Sequence, residues 1–288
     1  MTAPLPTPLP TQLISTAELA ARLGEVLLID ASFDLANPAA GRAAFARAHL
    51  PGAVYAHLDE DLSSAKTGSN GRHPLPERAL LTHKLGAWGV APGRAVVVYD
   101  RNGGMYAARA WWLLRWLGHA AVTVLDGGLD AWQRAGGAVQ AGEAVAPVLA
   151  GAAPYPAGES LVGSVDADTL ARSLGQVCLV DARAPERYRG DVEPLDPVAG
   201  HIPGALNRLF KDNLAADGRF LPAEQLRAAW APLIGATPAA EVIHQCGSGV
   251  TACHNILAME VAGLGGSRLY PGSWSEWCAD PARPVARG

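Results

Sequence analysis

One of the four cysteines opens a short glycine-containing turn, and this arrangement of residue types suits covalent chemistry on sulfur. Residues 241–255 read EVIHQCGSGVTACHN. The apolar pair Val242 and Ile243 predicts a short buried strand, followed by a tight loop that opens at Cys246 and by a helix that begins near Val250. The start of a helix carries a partial positive charge and unpaired N–H groups, so it stabilises an anion. The pattern therefore predicts a thiolate nucleophile that handles sulfur.

The loop that follows this cysteine supplies main-chain N–H groups that can surround the sulfur. We expect those amides to belong to Gly247, Ser248, Gly249, Val250 and Thr251. Gly247 and Gly249 suit a backbone that needs positive φ and a close approach. The alternative is a buried, inert cysteine, which is what most free cysteines are. Cys253, on the predicted helix, fits that alternative better than Cys246 does.

The chain repeats itself. The string HLPGA at 49–53 returns as HIPGA at 201–205. A shift of 145 residues relates several glycines, an alanine and a tryptophan of the two halves: Gly104 to Gly249, Ala107 to Ala252, Gly127 to Gly272 and Trp132 to Trp277. Such self-similarity predicts a tandem duplication. The same shift places Arg101 at the position of Cys246, so the first half is predicted to lack the nucleophile and to be structural and pocket-lining.

Strand and helix patterns alternate in both halves. The continuous apolar run at 95–99 (AVVVY) is typical of a strand buried in a parallel sheet, and the alternation predicts an α/β fold. We expect an N-terminal domain over residues 12–138, a linker rich in Ala, Gly and Pro over 139–160, and a C-terminal domain over 161–288 that carries the chemistry. Residues 1–10 are expected to form a loose arm.

Three strings resemble a known family. Residues 246–252 (CGSGVTA) resemble the active-site loop of the rhodanese superfamily, specifically that of the 3-mercaptopyruvate sulfurtransferases. The strings at 45–53 (FARAHLPGA) and 270–277 (YPGSWSEW) resemble the two signatures of the family. The resemblance implies tandem rhodanese-like domains, each a parallel sheet flanked by helices, with an inactive first copy and a site at the domain interface. It also implies an enzyme that moves sulfur from 3-mercaptopyruvate through a Cys246 persulfide to a thiol or to cyanide.

The resemblance also implies further site residues. Mercaptopyruvate sulfurtransferases have been proposed to use a Ser–His–Asp arrangement beside the cysteine, and the matching positions here are Ser248, His73 and Asp59. Asp61 lies close enough in sequence to be an alternative to Asp59. Such a triad would manage protons as the donor carbonyl is polarised.

A carboxylate-binding arginine is implied as well. Arg187 matches that position, and a guanidinium suits a carboxylate because it donates two parallel hydrogen bonds. Mercaptopyruvate enzymes often carry a second arginine nine residues later, but here that residue is Asp196. Either Arg189 takes its place or affinity for mercaptopyruvate is weak.

Alternative functions make different demands on the loop. Thiosulfate-using relatives typically carry Arg and Lys where this chain has Gly247 and Ser248, so mercaptopyruvate is the favoured donor and thiosulfate the alternative. A cysteine phosphatase needs a Cys-x5-Arg loop, whereas the sixth residue after Cys246 is Ala252. A non-catalytic sulfur-carrier or binding protein would not need the intact Cys246 loop.

Composition excludes other classes of function. The 288 residues include 23 basic and 27 acidic side chains, with no basic stripe for nucleic acid and no uninterrupted apolar run long enough for a membrane span. Four cysteines do not make a disulfide framework, so we expect a reducing, cytoplasmic location. Cys253, His254 and His244 fit no zinc spacing, and we expect neither a metal nor a cofactor. The expected partners are a small-molecule sulfur donor and an acceptor: a thioredoxin-like protein, a low-molecular thiol or cyanide.

Overall fold

Two five-stranded parallel sheets, each flanked by helices, make up the protein. A computed structural model describes residue 10 and residues 12–142 and 151–288. The first half contains β1 (Leu13–Ile14), α1 (Thr16–Ala20), β2 (Leu27–Asp30), α2 (Ala39–Arg47), β3 (Val54–Tyr55), α3 (Arg78–Ala87), β4 (Val96–Tyr99), α4 (Ala107–Trp116), β5 (Val122–Leu125) and α5 (Gly128–Arg134). The second half contains β6 (Gly163–Ser164), α6 (Ala167–Arg172), β7 (Leu179–Asp181), α7 (Pro185–Arg189), β8 (Leu206–Asn207), α8 (Ala223–Ile234), β9 (Ile243–Gln245), α9 (Thr251–Val261), β10 (Arg268–Leu269) and α10 (Ser273–Trp277). Two 3-10 turns, Phe210–Asn213 and Ala239–Glu241, complete the second half.

The two sheets share one topology. The strand order is β1-β5-β4-β2-β3 in the first sheet and β6-β10-β9-β7-β8 in the second, and the paired strands within each sheet are parallel. The central strands β2, β4 and β5 are buried along their whole length because helices cover both faces of the sheet. The prediction of a duplicated α/β fold is confirmed.

The register of the sheets gives the structural equivalence of the two halves. Asp30 of β2 pairs with Tyr99 of β4, and Asp181 of β7 pairs with Gln245 of β9. Both aspartates end the corresponding strand of their sheet. Tyr99 is therefore the counterpart of Gln245.

This register corrects one prediction from the repeat. If Tyr99 matches Gln245, then the next residue, Asp100, matches Cys246, and the assignment of Arg101 to that position is wrong. The constant shift of 145 residues failed here because the first loop is one residue longer than the second. The side chain of Arg101 points away from the loop and donates to carbonyl oxygens of Ala44 and Ala48 at the end of α2.

The helices that follow the two central loops pack against each other across the domain boundary. α4 and α9 are in contact, and one hydrophobic cluster runs through both domains and includes Trp111, Trp112, Cys253 and Leu257. Burying side chains of this size stabilises the fold by about 1.5–3 kcal/mol each. Because α4 and α9 begin at the ends of their loops, this packing brings the loop after β4 close to the loop after β9.

The segment between the domains lies along the first one. Tyr155 N–H donates to the Thr82 carbonyl and Gly158 N–H to the Leu117 carbonyl. The linker prediction of 139–160 and the domain limits at 12–138 and 161–288 stay predictions, since residues 143–150 lie outside the described part of the chain. The predicted arm at 1–10 also lies outside it, apart from residue 10. None of the described helices is long and apolar enough to cross a membrane.

Candidate active site

Cys246 lies at the floor of a cavity of about 420 Å³ that both domains line. It directly follows β9, and the first turn of α9 begins five residues later. The residue is 2% exposed. Its N–H donates to Ser273 Oγ at 3.0 Å, and its carbonyl accepts from the Trp274 amide at 3.0 Å, so α10 holds the loop in place. A parallel sheet places such a loop at the carboxyl end of its strands, where sites of this fold class form.

One of the loop amides is directed at the sulfur of Cys246. Ser248 N–H donates to Cys246 Sγ at 3.4 Å. Among the described residues, no protein acceptor is recorded for the amides of Gly247, Gly249, Val250 and Thr251. Of the five amides predicted to surround the sulfur, one contacts it directly in this structure. N–H groups without a protein partner at the start of a helix are suited to a negative sulfur.

The first domain provides an internal comparison for this cradle. Asp100, the counterpart of Cys246, is fully buried. Its carboxylate accepts four main-chain N–H groups at 2.8–2.9 Å, from Asn102, Gly104, Tyr106 and Ala107. The same loop architecture therefore binds a carboxylate in the first half and holds a thiol in the second.

The two loop glycines meet different requirements. Gly249 has φ +76°, and a Cβ there would lie 2.3 Å from the Pro271 carbonyl oxygen, so other residues are excluded. Gly247 does not have positive φ, contrary to the shared role expected for both glycines. A Cβ on Gly247 would instead lie 2.9 Å from Nη2 of Arg72. The missing side chain at 247 thus leaves room for an arginine.

Ser248, His73 and Asp59 come together at the domain interface. His73 Nδ1 lies 2.7 Å from Ser248 Oγ, a direct hydrogen bond between the domains. His73 Nε2 lies 3.4 Å from Asp59 Oδ1, although this contact lacks hydrogen-bond geometry. Asp61 is engaged elsewhere: its carboxylate accepts from the His57 amide and pairs with Lys84. Asp59 rather than Asp61 therefore faces the histidine.

His73 is neutral in this environment. The side chain is 3% exposed, and burial lowers its pKa to about 3, with Arg72 and Arg109 acting in the same direction. A neutral imidazole has one ring nitrogen that accepts and one that donates. With Nδ1 as the acceptor, His73 accepts a hydrogen bond from the Ser248 hydroxyl, and its Nε2–H is directed towards Asp59. This arrangement allows a proton to be relayed from the serine to the histidine.

Arg187 lines the cavity, and its guanidinium contacts two acidic side chains of its own domain. It pairs with Glu193 at 2.6 Å and lies 3.4 Å from Asp196. Asp196 in turn pairs with Arg72 of the first domain at 2.6 Å. The residue that departs from the family pattern thus binds an arginine from the other domain.

Arg189 is not brought to the site. Its side chain is 47% exposed, pairs with Asp191 and does not line the cavity. The prediction that Arg189 replaces a second carboxylate-binding arginine is therefore wrong. α7 is only five residues long, and positions 187 and 189 lie on different sides of it.

Arg109 of α4 is a site residue that the sequence did not indicate. Its guanidinium is fully buried and donates to the carbonyls of Gly249 at 3.3 Å and His73 at 3.2 Å. Arg109 thereby links the loop that carries Cys246 to the segment that carries His73. Cys253 lies beside it, and burial raises the pKa of that thiol to about 12. This high pKa fits the inert role expected for Cys253.

Apolar side chains form much of the remaining cavity wall. The first domain contributes Leu35, Leu58, Met105 and Tyr106, and the second contributes Leu195, Leu209, Phe210 and Val250. Thr251, the first residue of α9, also lines the cavity.

In the described part of the chain, no group of three His, Cys, Asp or Glu side chains is placed to hold a metal ion. His244 contacts Met259, and His254 stacks on Phe220.

Comparison with protein-family models identifies the repeated unit. The model of the rhodanese-like domain matches twice, over residues 15–135 and 166–280. Each match covers four strands of one sheet together with the helices between them, and the second contains the Cys246 loop.

Similar proteins and structures agree with that match. The chain is 50% identical over 283 residues to a probable 3-mercaptopyruvate sulfurtransferase of Pseudomonas aeruginosa, covering 96% of this chain and 98% of the relative. It is 43% identical to a putative thiosulfate sulfurtransferase of Mycobacterium tuberculosis, covering 96% and 97%. The structure of 3-mercaptopyruvate sulfurtransferase from Leishmania major matches with a TM-score of 0.82 and 32% identity, covering 93% of this chain and 74% of that one.

Proposed function

This chain belongs to the rhodanese-like family, and from that premise we propose that it is a sulfurtransferase that takes sulfur from 3-mercaptopyruvate and passes it to a thiol or to cyanide. One observation carries the proposal. The thiol of Cys246, in the loop between β9 and α9, shares one cavity with a Ser–His pair and with three arginines, one from the first domain and two from the second. The names of the relatives from Pseudomonas aeruginosa and Leishmania major support the choice of donor.

The first half-reaction forms a persulfide. The Cys246 thiolate attacks the sulfur of mercaptopyruvate, a new S–S bond forms, and the C–S bond of the donor breaks. The departing electron pair leaves as the enolate of pyruvate, which takes up the proton of the donor thiol. Ser248 and His73 are placed to relay that proton, because a neutral His73 can accept it from the serine hydroxyl.

The second half-reaction regenerates the thiolate. An acceptor thiolate or cyanide attacks the outer sulfur, and the S–S bond of the persulfide breaks to return the electron pair to Cys246. Main-chain amides of the loop would stabilise the negative sulfur in both forms. Splitting the transfer in two is covalent catalysis. A small thiol, a thioredoxin-like protein or cyanide meets the chemical need.

Thiosulfate is the second candidate donor, because the relative from Mycobacterium tuberculosis carries that name. A dianionic donor is best served by basic side chains on the loop itself, whereas this loop presents Gly247 and Ser248. We therefore rank mercaptopyruvate first. We also propose a reducing, cytoplasmic setting, since all four cysteines are free.

Mass spectrometry after incubation with mercaptopyruvate tests the proposal. The intact protein should gain about 32 Da, one sulfur atom, on the peptide that contains Cys246, and cyanide should remove it. Cys246→Ser should gain nothing while keeping its unfolding midpoint, whereas Cys178→Ser should behave as wild type. If wild type gains no sulfur, or if thiosulfate gives a much larger kcat/KM than mercaptopyruvate, the proposed donor is wrong.

A further inference from the structure

The guanidinium of Arg109 is a buried charge that takes no part in the reaction steps above. Arg109 lies on α4 and is 0% exposed. Its recorded hydrogen bonds all go to main-chain carbonyl oxygens, those of Gly249 and His73 at 3.3 and 3.2 Å and those of Leu62 and Pro74 at 3.5 Å. None of the ion pairs recorded for the described residues involves it. A charge taken out of water is costly unless an opposite charge compensates it, so we expect an anion near Arg109.

The arginines that line the cavity of Cys246 differ from Arg109, because each of them has an acidic partner. The pairs lie at 2.6–2.7 Å: Arg72 with Asp196, Arg183 with Asp181 and Arg187 with Glu193. Three cations are thus matched by three anions. Within the described part of the chain, the positive charge of Arg109 is left over.

The remaining titratable groups of the cavity do not supply the missing anion. His73 is neutral, and the carboxylate of Asp59, which faces it, lies 3.6 Å from Nζ of Lys66. Glu186 and Lys211 line the cavity, are exposed to solvent and carry opposite charges. The compensating anion must therefore come from another kind of side chain.

Two thiols interact with the guanidinium of Arg109, and both oppose the lowering of its pKa by burial. The first, Cys253, donates to the Gly249 carbonyl at 3.3 Å, the same oxygen that accepts from Arg109. Burial raises the pKa of Cys253 to about 12, so this thiol is neutral at pH 7. The second, Cys246, lies three residues before Gly249 in the same loop. Cys246 is therefore the group placed to carry the missing negative charge.

We infer that Arg109 is a positioning residue of the first domain whose charge stabilises the thiolate of Cys246 across the domain interface. The inference rests on the proposed function, because it takes Cys246 as the nucleophile. Solvent and salt screen a buried guanidinium little, so its attraction for a nearby anion is stronger than it would be in water. The copy of the fold that lacks a nucleophile thus supplies the charge that the nucleophile needs.

The pH dependence of alkylation tests this role. Iodoacetamide is uncharged and reacts with thiolates, so the pH midpoint of its reaction at the Cys246 peptide reports ionisation without any sulfur donor. Arg109→Gln keeps a hydrogen-bond donor but removes the charge, and it should raise that midpoint by about one pH unit or more. Arg109→Lys keeps the charge and should move the midpoint by less than about half a pH unit. Arg115→Gln, at the arginine of the same helix that lies over the ring of Trp111, is the matched control and should not move it.

An arginine that only links two loops through their carbonyl groups would give a different result. Arg109→Gln and Arg109→Lys would then lower the urea midpoint of unfolding but leave the alkylation midpoint at its wild-type pH. That outcome, or an equal rise of the alkylation midpoint in both variants, would overturn the inference.

The wild-type protein provides a second test that needs no folded variant. A fully buried cation is screened little by salt, so the alkylation midpoint should move by less than about 0.3 pH unit between about 0.05 and about 1 M sodium chloride. A rise of about one pH unit would assign the effect to the partly exposed Arg72 and Arg187 and would contradict the role of Arg109. If the alkylation results are as expected but wild type forms no persulfide from mercaptopyruvate, the proposed function fails and the inference about Arg109 stands.

Discussion

Removing the hydroxyl of Ser248 tests the proton relay separately from the other residues of the site. Its Oγ lies 2.7 Å from His73 Nδ1, and both side chains are buried. Loss of one partner from a buried hydrogen bond costs about 1–3 kcal/mol, and general acid–base groups contribute about 10²–10⁴-fold to rate. We therefore expect Ser248→Ala to lower kcat for mercaptopyruvate by about 100-fold.

The same relay predicts how the variants combine. His73→Gln should lower kcat by a similar factor, and the double variant should be no slower than either single one, because the two groups act as a unit. Asp59→Asn should cost less than about tenfold, since Asp59 lies 3.4 Å from the ring without hydrogen-bond geometry and His73 is already neutral. Ser69→Ala, at an exposed serine of the same loop, is the control.

The assay is single-turnover formation of the Cys246 persulfide, followed by release of pyruvate. Thiosulfate supplies a second readout, because its leaving group, sulfite, departs without needing a proton. Turnover of thiosulfate should change by less than about threefold in Ser248→Ala. A double variant that loses the product of the two single factors, or an equal loss with thiosulfate, would refute the relay and indicate that Ser248 only shapes the loop.

Three further outcomes follow from geometry and burial. Gly249→Ala forces a Cβ against the Pro271 carbonyl oxygen, so it should destabilise the protein by about 2 kcal/mol or more and abolish activity. Gly24 has open space around it, so Gly24→Ala is the control and should change neither stability nor activity. Asp100→Ala orphans four buried amides and should lower the free energy of unfolding by about 2–4 kcal/mol, measured in urea. Burial lowers the pKa of His244 to about 3, so the unfolded chain binds the proton first as the pH falls below 6.5. This group alone should lower the free energy of unfolding by up to about 1.4 kcal/mol per pH unit, in addition to the contributions of His73 and His254. His244→Gln should reduce the slope by about that amount, and an unchanged slope would contradict the reasoning.

Sequence patterns were sufficient for the features that are local. The strand, loop and helix around Cys246 follow from apolar runs and glycines, and the duplication follows from the two His-x-Pro-Gly-Ala strings. The counterpart of Cys246 was assigned wrongly because aligning the two halves with a constant shift cannot detect one inserted residue. The hydrogen-bond register between the strands does detect it.

Contacts between domains were beyond what the sequence could indicate. Arg72 and Asp196 are 124 residues apart, and no pattern in the sequence indicates that they pair. Arg109 lies within an apolar helix, and the sequence does not indicate which neighbouring segment its side chain contacts. Asp59 and Asp61 are equivalent in sequence, and only the contacts of Asp61 with the His57 amide and with Lys84 direct it away from His73.

The buried carboxylate of Asp100 has a consequence for stoichiometry. The carboxylate of Asp100 is tethered among these amides, so its effective concentration there is far above that of any dissolved anion. It therefore excludes other anions from the amides permanently. The first copy of the fold cannot compete for a sulfur donor. A chain built from two closely similar halves should accordingly saturate with one transferable sulfur atom rather than two.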